Sequence, residues 1–235
     1  MKKVFKTLFF SFVSIIFLIP VSAFATPSNP NFVDDEFYKC VVEHYNFKNN
    51  AGYSYDVNLT NDELNTIERL SCSSNDYKIT NVTGLNKLEN VLYVDIGISA
   101  IDTIDVSNNK KLTFLAVNGG NINTIDVSNN LELTSLQLHN NKLTTIDVSK
   151  NTKLELLNLY GNPITSIDVS NNIYLKELDL ISARLATIDV SKNTELTKLR
   201  VQGTMNSIDV SNNLKLTWLE VTANLTSIDL SNNKD

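Results

Sequence analysis

"LTTIDVSKNTKLELLNLYGN", Leu143 to Asn162, decides how this chain folds. It holds two patterns. In Leu154-x-x-Leu157-x-Leu159-x-x-Asn162-x-Ile164 the apolar residues alternate, as in a short strand whose leucines point to one side and whose intervening residues point to the other. About ten residues away, Ile146-Asp147-Val148-Ser149 is a second apolar pair, followed by turn-forming Ser149 and Asn151. Both patterns return. Ile104, Ile125, Ile146, Ile167, Ile188, Ile208 and Ile228 each open an IDVS or IDLS, at spacings of 21, 21, 21, 21, 20 and 20 residues.

A fixed period in this range means a solenoid, and the strand pattern matches the leucine-rich-repeat template. Leu133, Leu136, Leu138, Asn141 and Leu143 fit it, as do Leu112, Leu115, Val117 and Ile122 with Gly120 in the Asn place, and Leu175, Leu178, Leu180 and Leu185 with Ala183 there. Units from Leu196 and Leu216 lose one residue after the strand, and two less regular units start at Ile67 and Val91. Each coil buries its apolar residues only against its neighbours, so stability comes from stacking. Eight strands at about 4.8 Å predict a parallel sheet roughly 35–40 Å long. The expected fold is an α/β solenoid: a leucine-rich-repeat arc with a parallel β-sheet on its concave face and a small helical N-terminal cap.

The IDVS phrase falls on the convex side. Ile104 and Val106 are expected to face the core, with Asp105 in solvent and Ser107 and Asn109 turning the chain. Asn109, Asn130, Asn151, Asn172, Asn193, Asn213 and Asn233 hold one place throughout and predict a stacked asparagine column bonding backbone between coils. The aspartate column from Asp105 to Asp229 reads either as a cation-holding ladder or as carboxylates capping their own turns; nothing in the sequence makes six oxygens converge, which favours turns.

Residues 1–25 read as a secretory signal peptide: Lys2, Lys3 and Lys6, an apolar run from Leu8 to Ile19 broken by Pro20, and a small-x-small site at Ala23-Phe24-Ala25. The run is short for a membrane span, and no later stretch would insert once the signal is cleaved. Without those lysines 17 basic residues face 26 acidic ones, a net charge of about −9, which disfavours nucleic acid and anionic membranes. Residues 26–66 read as a helical cap and 67–235 as the array, of about eight units with the last incomplete. Phe37, Cys40, Val41 and His44 follow helical spacing after Asp34 and Asp35, and Thr60-Asn61-Asp62-Glu63 reads as a capping box. Cys40 and Cys72 are the only cysteines. In an exported chain they predict one disulfide, the alternative being two free thiols. Bonded, they would staple the cap helix to an inward strand position of the unit from Ile67.

The array resembles the bacterial leucine-rich-repeat proteins that are broadly internalin-like, many of which carry 21-residue units close to LTSLDVSKNTxLxxLxxxxN. "ITNVTGLNKLENV", Ile79 to Val91, also looks like the first units of such proteins. The resemblance covers about Phe32 to Asp235. It implies a secreted or surface protein that binds macromolecules, without naming a partner, and it supports the Cys40–Cys72 pairing. Some caps of the family carry a calcium loop. Asn46 to Gly52 is the one candidate and lacks the alternating acids and the central glycine.

No Ser/His/Asp set, metal-ligand spacing or phosphate-binding glycine loop is present, so neither enzyme nor cofactor is expected. His44 reads as a cap-helix residue and His139 as an outward strand residue. The variable positions are the outward strand residues. The first column reads Tyr93, Phe114, Ser135, Leu156, Glu177, Lys198, Trp218. The second reads Asp95, Ala116, Gln137, Asn158, Asp179, Arg200, Glu220. The third reads Gly97, Asn118, His139, Tyr160, Ile181, Gln202, Thr222. Holding a coil together does not require aromatics on a solvated face, and aromatics are enriched in interface hot spots. The expected function is therefore a secreted, extracellular adhesion or interaction module that binds a protein, of a host or neighbouring cell, through Tyr93, Phe114, His139, Leu156, Tyr160, Ile181 and Trp218. Glycan binding through exposed aromatics is the alternative. So is a self-associating surface protein, because the chain stops at Asp235 with Ile228 and Leu230 lacking a further coil.

Overall fold

A computed structural model describes residues 31–72, 77–97 and 100–233. The leader, the Asn75 position of the first unit and the terminal Asp235 lie outside them. Eight strands form one parallel sheet in chain order: β1 (Arg69–Ser71), β2 (Tyr93–Ile96), β3 (Phe114–Val117), β4 (Ser135–Gln137), β5 (Leu156–Asn158), β6 (Glu177–Leu185), β7 (Lys198–Gly203) and β8 (Trp218–Thr222). The architecture is the leucine-rich-repeat solenoid that the periodicity predicts.

The core is a single column of stacked layers. Leu136, Leu157, Leu178 and Leu199 are almost wholly buried, and so are Val127, Val148, Val169 and Val190 from the convex phrases. The isoleucines of those phrases differ. Ile146 and Ile208 are buried, whereas Ile104, Ile125, Ile167 and Ile188 pack against the core only in part. Valine, two residues later, fills the deeper position.

Convex-side asparagines are fully buried from Asn109 to Asn213. Asn151 Nδ2 donates to Val127 O and Asn130 O, both at 2.9 Å, and Asn172 and Asn193 repeat the pattern one coil on. Each amide thus ties its own coil to the previous one, as a second donor to carbonyls that already accept within their turn: Val127 O from Asn130 N and Asn130 O from Leu133 N. Asp105 to Asp229 accept the N–H of the serine two residues on, at 2.8–3.0 Å. Hydrogen bonds from that serine hold these carboxyls below the usual carboxylate range. These aspartates cap turns, and no group of three or more His, Cys, Asp or Glu able to hold a metal occurs among the described residues.

Past the strand, the residue that reverses the chain is left-handed in four consecutive units: Gly119, Asn140, Gly161 and Ser182. A Cβ at Gly161 would collide with Asn140 of the preceding coil, so glycine there meets both a positive φ and a close approach. The units that lose a residue depart here. The β6–β7 register shifts between Leu180 and Leu185, and Met205 is buried after the shortened turn.

The cap is helix α1 (Asp35–Asn49), the single turn α2 (Asn61–Leu64) and the loops around them. Asp34 caps α1 through Phe37 N at 2.9 Å and also accepts from Thr80 N and Asn81 N, tying helix to array. Burial pushes its carboxyl up, but the bonds from Thr80, Phe37 and Asn81 outweigh this and hold it low. Thr60 and Glu63 form a reciprocal capping box. The Asn46 to Gly52 stretch is the last turn of α1 and its left-handed cap at Asn50. The disulfide Cys40–Cys72 is formed, with Cα atoms 5.9 Å apart. His44 supports it: Nδ1 donates to Cys40 O at 2.8 Å and Nε2 accepts from Ser71 N at 3.1 Å, latching α1 to edge strand β1. No helix among the described residues is long and apolar enough to cross a membrane.

Candidate protein-binding face

Parallel pairing in register aligns the outward residues of successive coils. The first column runs Arg69, Tyr93, Phe114, Ser135, Leu156, Glu177, Lys198, Trp218, and the second Ser71, Asp95, Ala116, Gln137, Asn158, Asp179, Arg200, Glu220. The structure therefore gathers the outward residues on one face. Arg69, in the irregular first unit, was not expected there.

The two halves of this face differ in chemistry. At the N-terminal end, the Arg69 guanidinium lies 3.5 Å from the Tyr93 ring centroid, and Tyr93 stacks on Phe114 with centroids 4.2 Å apart and planes 7° from parallel. This three-layer stack explains why both rings are only half-exposed. Ser135 and Leu156 continue the column with small and aliphatic side chains. Beside the end strand, exposed Phe47 borders a groove of about 640 Å³ also lined by His44, Ile67 and Arg69.

At the C-terminal end the groups are ionised and paired. Arg200 bonds Asp179 at 2.5 Å and Glu220 at 2.7 Å, and Lys198 lies 3.6 Å from Glu177. Trp218, on the last strand, is 58% exposed. The third column runs along the same face. Tyr160 is exposed, Ile181 and His139 half-buried, and His139 Nδ1 is buried without a hydrogen-bond partner. Burial lowers the His139 pKa, partly offset by the carboxylates of Asp179 and Asp95.

A second exposed set lies between the convex asparagines and the strands. Leu131, Ile173, Tyr174 and Leu214 are exposed and lie on the flank, not on the sheet.

A solenoid of this period, with a disulfide-stapled helical cap and this sheet face, has near counterparts. The functional domain of InlJ from Listeria monocytogenes, described as including a cysteine ladder, superposes with a TM-score of 0.81 at 34% identity over 87% of this chain. The chain is an internalin-like leucine-rich-repeat protein. It spans 44% of the length of that InlJ domain. Internalin C2 from Listeria monocytogenes matches over 87% of this chain and 96% of its own, with a TM-score of 0.71 and 18% identity. A wider structural likeness is the ectodomain of the Arabidopsis thaliana receptor kinase GASSHO1/SCHENGEN3, solved in complex with CASPARIAN STRIP INTEGRITY FACTOR 2. It has a TM-score of 0.63 and 21% identity, covering 72% of this chain and 23% of the receptor. No family model matches the internalin-like chain, and no curated protein matches it.

Proposed function

We propose that this internalin-like chain is an exported binding module that recognises a protein through its concave sheet face. The observation that carries this reading is the contrast along that face. An Arg69–Tyr93–Phe114 stack and Leu156 offer apolar, rigid contact at one end, and the Asp179–Arg200–Glu220 cluster offers charge at the other. Interfaces combine such anchors with polar surroundings. Tyr93, Phe114, His139, Leu156, Tyr160, Ile181 and Trp218 are the contact residues of this reading. An internalin-like build and a receptor relative of the same fold that is bound to a factor support protein as the partner class. A glycan platform needs free ring faces, and Tyr93 and Phe114 cover each other while Arg69 covers Tyr93, so protein is the better fit.

Export rests on the basic, apolar and Ala-Phe-Ala features of residues 1–25, with Thr26 as the first mature residue. The protein would then act outside the cell, free or held at a cell surface. We assign no catalytic role: His44 is engaged in the cap latch, and His139 Nδ1 is buried without a hydrogen-bond partner.

The test has two steps. Mass spectrometry of the protein recovered from culture medium should show an N-terminus at Thr26; an intact Met1 in a cell-retained protein contradicts export. A partner captured from host-surface and cell-wall extracts should then be bound by purified wild type, with a Phe114→Ala/Tyr160→Ala/Trp218→Ala variant losing tenfold or more in affinity at an unchanged fold. Unchanged affinity contradicts the concave-face assignment.

A further inference from the structure

Each coil turns from its convex phrase into its strand along one flank of the arc. There the N–H of the strand-opening leucine bonds to the carbonyl of the buried asparagine three residues before it. This occurs at Asn130–Leu133, Asn151–Leu154, Asn172–Leu175, Asn193–Leu196 and Asn213–Leu216, at 3.0–3.2 Å. The outer residues of each turn are buried, so its two central residues lie outside the core. Stacked about 4.8 Å apart, these turns make two straight columns. Nearer the convex side run Leu131, Thr152, Ile173, Thr194 and Leu214, all exposed. Nearer the sheet run Glu132, Lys153, Tyr174, Glu195 and Lys215, exposed except for half-exposed Glu195.

The first column reads the same in both directions from Ile173: Thr, then Leu. The second, read outward from Tyr174, changes sign: Lys153 then Glu132 on one side, Glu195 then Lys215 on the other. A two-fold contact demands a patch complementary to itself, and this is the pattern such a patch requires. We infer that the flank pairs with the same flank of a second copy, antiparallel, about a two-fold axis through the Ile173–Tyr174 turn.

Such an axis lies in the plane of contact and points from the concave to the convex side, so each column meets its own counterpart. Leu131 faces Leu214 of the second copy, Thr152 faces Thr194, and Ile173 and Tyr174 face themselves. Glu132 faces Lys215, and Lys153 faces Glu195. Within one copy Lys153 already bonds Glu132 at 2.5 Å and Lys215 bonds Glu195 at 2.6 Å. The contact therefore sets two such pairs side by side with opposite polarity, and every charge gains a second opposite neighbour. Register is specific. Moving the axis one coil, to the Thr152–Lys153 turn, would set Lys153 against itself and Leu214 against Glu89. The margins limit the patch: Lys150 approaches Lys192 of the second copy at the convex edge, and Lys176, already bonded to Glu155 at 2.7 Å, approaches its own counterpart at the concave edge. Ten side chains per copy engage, fewer than the roughly 20–30 of a standard stable interface, so the dimer forms in the micromolar range or above. Its geometry leaves both concave faces open on the same side, which would let a doubled protein engage a partner array by avidity. The inference does not depend on what that face binds.

The test is sedimentation velocity of the chain from Thr26 onward, across a hundredfold range of concentration. Wild type should pass from monomer to dimer. Ile173→Glu should weaken the dimer at least tenfold. E132K/K153E keeps its internal ion pair but sets like charges against like in a homodimer, and E195K/K215E does the same. Each alone should be monomeric, and an equal mixture should recover the dimer as a one-to-one heterodimer. A wild type that stays monomeric throughout overturns the inference. So does a dimer that survives Ile173→Glu, or swapped proteins that do not prefer each other over themselves.

Discussion

The two sides of one coil follow opposite rules. On the convex side, every coil from Ile104 onward repeats Ile-Asp-Val/Leu-Ser-x-Asn, and as far as Asn213 each residue has a fixed place: valine in the core, aspartate on its serine, asparagine on two carbonyls of the coil before. On the concave side the inward leucines are as constant, but the outward residues range from Phe114 to Glu177 to Trp218 on the same backbone register. The difference separates what the solenoid needs in order to stack from what it is free to present. Substitutions on the two sides should then fail in different assays.

The largest effect expected is at the junction that begins the array. Replacing Cys40 and Cys72 with serine removes a cross-link spanning 32 residues and should lower stability by about 3–4 kcal/mol, read as a fall in the urea midpoint. Next comes the convex column. Asn151→Ala removes two buried hydrogen bonds between coils, those from its amide to Val127 O and Asn130 O, and should cost roughly 2–3 kcal/mol, with no change in partner affinity. Asp34→Ala removes the α1 cap and its bonds to Thr80 and Asn81, which should cost about 1–2 kcal/mol. Acid should loosen the convex side by a smaller amount. The aspartates from Asp105 to Asp229 are held below their usual pKa, so the stability they supply is present above about pH 4 and is lost as pH falls through their depressed values. The thermal midpoint should drop as pH is lowered below about 4. Calcium should leave that midpoint unchanged at neutral pH, since each carboxylate is spent on its own turn; a marked rise would restore the cation-ladder reading.

Much of this was legible in the sequence because a 21-residue period fixes register. Once Leu157 and Leu178 are inward, Leu156 and Glu177 must be neighbours facing out, and they are. The asparagine column followed for the same reason. What the sequence hid depended on contacts between columns or on the irregular first unit. Arg69 stands where the repeat is least recognisable, so its seat on Tyr93 had no spacing to announce it. Tyr93 and Phe114 read as two free anchors, whereas their rings form one stack and present less surface than their number suggests. The isoleucines that open each phrase read as core, but the valines fill the deep position. The flank columns lay in plain view between Asn and Leu, yet a two-residue turn reads as a connection until its stacking shows that it is a surface.

The most direct measurement sets the two sides against each other in one experiment. Thermal midpoint and partner affinity would be measured for a convex pair, Asp147→Asn/Asp168→Asn, and for the concave set, Phe114→Ala/Tyr160→Ala/Trp218→Ala. The convex pair should lower the midpoint and leave affinity within about twofold of wild type. The concave set should lose tenfold or more in affinity, with a smaller change in midpoint. A convex pair that abolishes binding while the concave set binds as wild type would contradict the division of the coil into frame and site.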